Sequence, residues 1–124
     1  MATDFDFKSR HILDVIHMIE DYRLDIRTVT MGISLIGCTR PTMAATAQAV
    51  YDRVTERAAN LVTVCESIER ELGIPIVNKR VSVSPIALVA AGAGGNPVEI
   101  ARALDRAATE LGVNFVGGYS ALVE

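Results

Sequence analysis

The stretch GIPIVNKRVSVSP, from Gly73 to Pro85, decides the fold of this 124-residue chain. Its side chains alternate between an aliphatic side and a polar side, as those of a β-strand do. The aliphatic side carries Val77, Val81, Val83 and the stem of Lys79, and the polar side carries Asn78, Arg80, Ser82 and Ser84. Pro85 ends the strand, because proline cannot donate a hydrogen bond to a sheet. The polar side is either a water-facing surface or the lining of a site.

Two further stretches show the same two-sided pattern. In segment 25–35, one side carries Val29, Met31, Ile33 and Leu35, and the other carries Thr28, Thr30, Gly32 and Ser34. In segment 113–123, the alternation places Val113, Phe115 and Tyr119 on one side, and Asn114, Gly118 and Ser120 on the other with Val116. β-Branched residues favour strands. We therefore predict three strands.

Helical periodicity fills the intervals between the strands. Apolar residues recur three and four positions apart at Ser9–Tyr22, in one long segment at 41–72, and in a last helix after Asn96. Strands separated by helices of this length require parallel crossover connections. We therefore predict an α/β fold of parallel β-α-β-α-β units preceded by an N-terminal helix. No repeat or domain boundary interrupts the chain, so residues 1–124 are expected to form a single domain.

Local signals mark where these helices begin and end. Thr39 is expected to accept from first-turn N–H groups of the long helix, and Pro41 suits that first turn. Asn96 begins a capping box for the last helix. Gly73 and Gly112 are expected to end the long and the last helix, because glycine adopts the left-handed conformation of a C-terminal cap.

The composition indicates that the chain is part of a larger assembly. Hydrophobic residues make up 50% of the sequence, aromatic residues only 5%, and Trp is absent. The mean hydropathy is +0.31. Such a chain has more apolar surface than a lone small domain easily hides, and exposed apolar patches usually mark interfaces. We therefore expect the chain to belong to a larger assembly.

The sequence also argues against nucleic-acid binding, membrane insertion, secretion and metal binding. The net charge is −3 and the basic residues are scattered, which argues against nucleic acid. No apolar run approaches the roughly 20 residues of a membrane helix, and the N-terminus is not a secretory signal. Cys38 and Cys65, like His11 and His17, lack the spacing of metal ligands, so we expect no metal site and two reduced thiols in a cytoplasmic protein. The sequence leaves any cofactor undetermined.

The polar sides of the strands carry the candidate site. Short hydroxyl side chains and glycines leave room for a ligand or for the opposite wall of a barrel. Arg80 offers a planar fork of donors that matches a carboxylate or phosphate, although a structural pairing with a carboxylate or carbonyls is the alternative. Cys38 follows the carboxyl end of the first strand, where ligand sites of α/β proteins gather. The candidate ligand-binding residues are Thr28, Thr30, Ser34, Cys38, Asn78, Arg80, Ser82, Ser84 and Ser120; no catalytic residue is assigned.

Four stretches in order, DIRTVTMGISLIGC, AANLV, GIPIVNKRVSVSP and GVNFVGGYSALV, resemble the N-terminal region of the "PFL family" proteins. This family is also called domain of unknown function 711. The resemblance implies a fold similar to pyruvate formate-lyase, an α/β barrel built from two half-barrels, in a cytoplasmic homodimer with no established reaction. The matching positions, whose roles are unassigned, are Arg27, Thr28, Thr30, Cys38, Asn78, Lys79, Arg80, Ser82, Pro85, Gly117, Gly118 and Ser120.

Members of that family are several times longer than this chain, and three strands cannot close a barrel. The resemblance therefore predicts an N-terminal fragment of a larger protein. Three functions are open for the complete protein. The first is an enzyme that binds a small anionic metabolite inside the barrel. The second is a non-catalytic regulator that binds a metabolite, and the third is an oligomerisation scaffold with no ligand. The absence of a catalytic dyad favours the second, and a fold does not transfer radical chemistry.

Overall fold

The computed structural model describes residues 4–21 and 27–120. The elements are α1 (Asp4–Glu20), β1 (Thr28–Ile33), α2 (Met43–Arg57), α3 (Leu61–Leu72), β2 (Asn78–Val83), α4 (Ile86–Ala90), α5 (Val98–Leu111) and β3 (Phe115–Gly117). The strands form one parallel sheet in the order β1-β2-β3. The predicted α/β class and its parallel units are therefore confirmed. The predicted end of the first helix at Tyr22 lies outside the described residues. So do the predicted start of the first strand at 25–26 and the predicted end of the third strand at 121–123.

The core lies on one side of this sheet. Its aliphatic side chains come from β1 and β2 and from the facing sides of α2, α4 and α5. They include Ile33, Leu35, Val81, Val83, Val50, Val54, Ile86, Val89, Ile100 and Leu104. Burial of such apolar surface is the dominant favourable term in folding. The aliphatic sides predicted for the first two strands are thus the sides that the helices cover.

The long helix predicted at 41–72 is two helices. α2 ends at Arg57, a turn follows at 58–60, and α3 begins at Leu61. Asn60 is not helical, with φ −104° and ψ 2°, and asparagine is a weak helix former. Ala58 is nevertheless buried, so the apolar seam continues across the turn. Periodicity alone therefore does not reveal the break.

The start of α2 also differs from the prediction. The capping residue is Thr42, whose Oγ1 accepts the N–H of Ala45 at 3.2 Å. The hydroxyl of Thr39 instead donates to the carbonyl of Val89 at 2.9 Å, which ties the loop after β1 to α4. The predicted end at Gly73 is confirmed, because its N–H donates to the carbonyl of Glu69 in a left-handed cap.

The end of α5 at Gly112 follows the prediction, but at its start the capping residue is Pro97 and not Asn96. Asn96 Oδ1 accepts the N–H of Val98 at 3.1 Å. At the other end, the N–H groups of Gly112 and Val113 both donate to the carbonyl of Ala108, at 2.9 and 3.2 Å. Val113 is therefore part of the motif that ends the helix. Its apolar side chain packs against the core, as the second residue after a helix commonly does.

This motif explains why the two sides predicted for the third strand are wrong. The alternation takes Val113 as a strand residue, but β3 begins at Phe115. The register pairs Phe115 with Arg80 and Val116 with Val81. Phe115 therefore lies on the polar side of the sheet, and Val116 packs against the core. Ser120 lies beyond the end of β3.

Candidate functional site

The side of the sheet opposite the core, which we call the open face, is built from alternate strand residues. They are Thr28, Thr30 and Gly32 of β1, Asn78, Arg80 and Ser82 of β2, and Phe115 and Gly117 of β3. Ser34 and Ser84 continue the set just after the ends of β1 and β2. All of them are exposed or half-buried in the described part of the chain. Arg80 is the one charged residue of this set. The open face therefore combines one cation with hydroxyl groups, an aromatic ring and bare backbone.

The central row of the open face is Thr30, Arg80 and Phe115, which are Cα partners across the three strands. The guanidinium carbon of Arg80 lies 5.6 Å from the centroid of the Phe115 ring, within the range of a cation–π contact. The ring is 57% exposed. This contact favours a guanidinium position beside the ring, since cation–π contacts contribute about 0.5–1 kcal/mol at exposed sites.

One donor of Arg80 has no acceptor among the described residues. Its Nε is buried and has no hydrogen-bond partner among them. A buried donor without a partner costs free energy, and the cost is larger on a charged group. The arrangement therefore leaves the buried Nε of this cation without an acceptor among the described residues.

The next row is Gly32, Ser82 and Gly117. Ser82 is exposed, and its neighbours on both sides have no side chain, so the peptide backbone forms the surface here. A Cβ atom added to Gly32 would meet no atom within 4 Å. A Cβ on Gly117 would lie 3.4 Å from Cε1 of Phe115. The row therefore carries one side chain, that of Ser82, between two glycines.

Two of the predicted site residues hold the end of β1. Ser84 Oγ accepts the N–H of Leu35 at 2.9 Å, and Ser34 Oγ accepts the N–H of Ile36 at 3.3 Å. Arg53 of α2 donates to the carbonyl of Ser34 at 3.0 Å. These bonds direct the chain out of the sheet. Ser34 and Ser84 thus have a structural role at the carboxyl edge of the open face.

The structure brings most of the predicted site residues together, but not all of them. Thr28 and Asn78 lie side by side one row below Arg80. Cys38 is 1% exposed within the core on the helix side, with Sγ 3.9 Å from the carbonyl oxygen of Ala49. Ser120 lines a separate cleft with residues of α4 and the start of α5. Cys38 and Ser120 therefore do not join Arg80.

Phe115 is the member of the site that sequence reasoning missed. Its apolar character and its spacing from Val113 favour the core side. The signal that could have corrected this is Gly112, because a glycine that ends a helix places the following apolar residue in the capping motif. If Val113 is assigned to the cap of α5, it no longer sets the alternation of the strand. Val116 can then face the core, and Phe115 lies on the opposite side of the sheet.

On the helix side, Lys79 is paired and is therefore not a candidate for ligand binding. Its Nζ lies 2.8 Å from Oε1 of Glu69 in α3. The hydrogen bond between them raises the pKa of Lys79 and lowers the pKa of Glu69. Burial raises the pKa of the neighbouring Cys65 thiol. The predicted position of Lys79 on the aliphatic side is thus confirmed.

Asn114 fixes β3 against β2. Its Oδ1 accepts the N–H of Lys79 at 2.9 Å, and its own N–H donates to the carbonyl of Lys79 at 2.8 Å. The side chain therefore supplies one half of a ladder-like pair just before the strand begins. This pairing places the next residue, Phe115, beside Arg80.

Residues 4–21 and 27–120 contain no helix long and apolar enough to span a membrane. Within the same ranges, no three His, Cys, Asp or Glu side chains gather in a way that could hold a metal ion.

The fold and the open face define an α/β protein with one half-covered parallel sheet. A family model described as "Uncharacterised ACR (DUF711)" matches residues 17–124, and the chain belongs to this family. The match confirms the resemblance seen in the four sequence stretches.

The chain is similar to several curated proteins of that kind. It is 73% identical over 119 residues to a UPF0210 protein of Corynebacterium glutamicum. It is 52% identical over 118 residues to a UPF0210 protein of Desulforamulus reducens, and 53% identical over 116 residues to one of Streptococcus pneumoniae. These matches cover 96%, 94% and 93% of this chain but only 26% of each relative. The chain thus spans about a quarter of the length of the relatives, as a fragment does.

Proposed function

We propose that the natural protein binds a small anionic metabolite on the open face, with Arg80 as the anchor. The observation that carries this proposal is the buried Nε of Arg80, which has no hydrogen-bond partner among the described residues. A carboxylate or phosphate would supply acceptors for the guanidinium fork, and such charge-assisted bonds are about twice as strong as neutral ones. The contact with Phe115 holds the guanidinium in place for that purpose.

The hydroxyl groups beside Arg80 complete the proposed site. Thr30 lies next to Arg80 on β1, and Ser82 lies one row above it on β2. Both are exposed. Each hydroxyl can donate to an anion oxygen or accept from a ligand hydroxyl. The site is therefore suited to a ligand with one anionic group and further oxygen atoms.

We place this site in the interior of a larger fold. Parallel sheets are normally covered on both sides, and helices within residues 4–21 and 27–120 cover only one side. The relatives are about four times as long as the chain, so their remaining length is sufficient to supply the second cover. The proposed arrangement is a pyruvate formate-lyase-like barrel, with the open face lining its interior, in a cytoplasmic homodimer.

A second candidate is a non-catalytic metabolite-binding or regulatory protein. The open-face positions of the described strands carry no carboxylate, histidine or cysteine. General acid–base catalysis needs such groups within hydrogen-bond reach of the substrate. The described part therefore supports binding, and catalysis would require groups from elsewhere in the natural protein. Turnover of a bound ligand distinguishes the enzyme from the regulator.

Calorimetric titration of the natural-length protein with acetate, benzoate and inorganic phosphate tests the proposal. We expect at least one of these anions to bind, and Arg80→Ala to weaken that binding by about 10- to 100-fold, since hydrogen bonds to charged groups contribute about 1.5–3 kcal/mol. Arg57→Ala removes an exposed arginine from the end of α2 and should leave the affinity unchanged.

Two results would contradict the proposal. In the first, none of the anions binds. In the second, an anion binds with the same affinity to the Arg80→Ala variant. Either result would favour the third function, an oligomerisation scaffold whose open face is filled by protein alone.

A further inference from the structure

The first helix, α1, contributes no described side chain to the core. None of these side chains belongs to the apolar cluster that the sheet forms with α2, α4 and α5, or packs against it. Ile12, Val15 and Met18 are half-buried. Leu13 and Ile16 are more open, with 55% and 42% of their surface exposed. The helix therefore carries a second apolar line that the described residues leave uncovered.

A helix such as α1 requires packing against another element. Isolated helices of about 12–15 residues are marginal in water even when they are rich in alanine, and most helical stability in proteins comes from the packing of an apolar side. α1 has 17 residues and contains no alanine. The open line of Leu13 and Ile16 is thus a surface on which a further polypeptide can pack.

Charges of opposite sign stand at the two ends of this open line. Arg10 lies three residues before Leu13, and Glu20 lies four residues after Ile16. Residues three and four apart are neighbours on a helix surface, so all four residues follow one side of α1. Both charged residues are exposed. We call Arg10, Leu13, Ile16 and Glu20 the α1 stripe, whose order is a cation, two apolar side chains and an anion.

We propose that the α1 stripe packs against the α1 stripe of a second copy of the chain, with the two helices antiparallel. Reversal of one helix places its Arg10 opposite Glu20 of the other, and a two-fold axis repeats this pair. The same arrangement sets Leu13 against Ile16. A parallel arrangement would instead place like charges together, which is unfavourable. The charge order of the stripe therefore selects the antiparallel second copy.

This surface is a contact for the homodimer proposed above, and it does not depend on the anion site. The strands carry the open face, and α1 carries none of its residues. Dimer formation through α1 and anion binding at Arg80 can therefore fail separately.

Exchange of the two charges tests the proposal on the natural-length protein, with the Kd of the dimer measured by analytical ultracentrifugation. We expect Arg10→Glu alone and Glu20→Arg alone each to raise the Kd about 10-fold or more, because each sets two pairs of like charges face to face. The double variant rebuilds both pairs with their signs exchanged, so it should return the Kd to within about 3-fold of the unchanged protein. Within one helix the two positions are roughly 15 Å apart, so this recovery reports a contact between copies.

Two further variants separate the stripe from a general effect of charge. Asp14→Arg makes the same change of charge as Glu20→Arg, but this position is turned by about 100° around the helix from Leu13, so the Kd should not change. Leu13→Ala should raise the Kd about 10-fold, because it removes apolar surface from the centre of the contact. Alanine is a good helix former, so helix content measured by circular dichroism should persist.

Several results would overturn the proposal. The first is a natural-length protein that stays monomeric at every concentration. The second is a dimer whose Kd is unchanged by the single exchanges, or one that the double variant does not restore. The third is a loss of folding in Leu13→Ala or in the single exchanges, which would show that the stripe packs within one chain. Calorimetric anion titration of the same variants tells these results apart from a failure of the proposed function, because anion affinity should be unchanged in all of them.

Discussion

Val81 and Arg80 are consecutive residues of β2 with opposite surroundings. Val81 is 1% exposed in the cluster that the sheet forms with α2 and α5. Arg80 faces the open side, beside an aromatic ring that is 57% exposed. Val81 has its apolar surface covered, whereas the Nε of Arg80 has no hydrogen-bond partner among the described residues.

This difference teaches that one strand serves two purposes with alternate residues. The helix side stabilises the fold by excluding water, and the open side keeps polar groups available. Substitutions on the two sides should therefore have separable effects, a loss of stability on one side and a loss of binding on the other. The following predictions test that separation, beginning with the largest expected effect.

Leu35 and Ile36 give the sharpest contrast in stability. Leu35 is fully buried, and Ile36 is 83% exposed. We expect Leu35→Ala to lower the free energy of unfolding by about 2–5 kcal/mol, because it leaves a cavity in the core. Ile36→Ala, the control, should change it by less than about 0.5 kcal/mol. Denaturant unfolding of both variants measures the difference, and equal losses would show that Ile36 is covered in the natural protein.

Substitutions between valine and threonine, which have nearly the same shape, test the two sides of the sheet. Val81→Thr places a hydroxyl in the core, and we expect a loss of about 1–3 kcal/mol because that hydroxyl has no partner there. Thr30→Val on the open side should change stability by less than about 0.5 kcal/mol. Thermal unfolding followed by circular dichroism provides the measurement. A large loss for Thr30→Val would mean that its hydroxyl is buried and bonded in the natural protein.

Asn114 should contribute a smaller amount, through the register of β3. Asn114→Ala removes the acceptor of the Lys79 N–H. We expect a loss of about 0.5–1.5 kcal/mol and faster hydrogen exchange at the Lys79 amide. Asn114→Asp keeps an acceptor oxygen at this position, so protection of the amide should persist. Equal exchange in the unchanged protein and in Asn114→Ala would refute the role assigned to the side chain.

The Glu69–Lys79 pair should give the smallest effect, one that depends on pH. The pKa of Glu69 is lowered on folding, so its stabilisation is present above the unfolded-state pKa and is lost as the pH falls through the lowered folded-state pKa. The pKa of Lys79 is raised, so its stabilisation is present below the unfolded-state pKa and is lost as the pH rises through the raised folded-state value. The pair therefore stabilises the fold across the neutral range between these limits.

The measurement is the melting temperature of the unchanged protein and of Glu69→Gln as a function of pH. We expect Glu69→Gln to melt lower near neutral pH and the gap to close at both the acidic and the alkaline end. Glu71→Gln, an exposed position on the same helix, should show no such gap. A gap that stays constant into strong acid would exclude the ion pair as its cause.

The sequence predicts those features that depend on local patterns. Alternation along 73–85 correctly places Val81 and Arg80 on opposite sides of the sheet. It does so because β2 is the central strand, with an apolar core side and a polar open face. Gly73 and Gly112 end their helices as expected, because few other residues adopt the left-handed cap. The α/β class then follows from the order of the elements.

The sequence does not predict features that depend on contacts between distant segments. The turn before Leu61 is hidden, because Ala58 continues the apolar seam across it. Alternation alone does not reveal the place of Phe115, because the register of β3 is set by bonds between Asn114 and Lys79, which lie 35 residues apart. The glycine cap at Gly112 is the one local signal for it. The same long-range pairing creates the contact between Arg80 and Phe115, which a single strand cannot reveal.

The sheet order β1-β2-β3 has a consequence for how the chain is made. Each strand pairs with the strand that precedes it in the sequence. As the ribosome releases the polypeptide from its N-terminus, at about 5–20 residues per second, every new strand finds its partner already present. No strand has to wait for a later segment to be inserted between two earlier ones. We therefore expect this region to assemble during synthesis, from β1 outward.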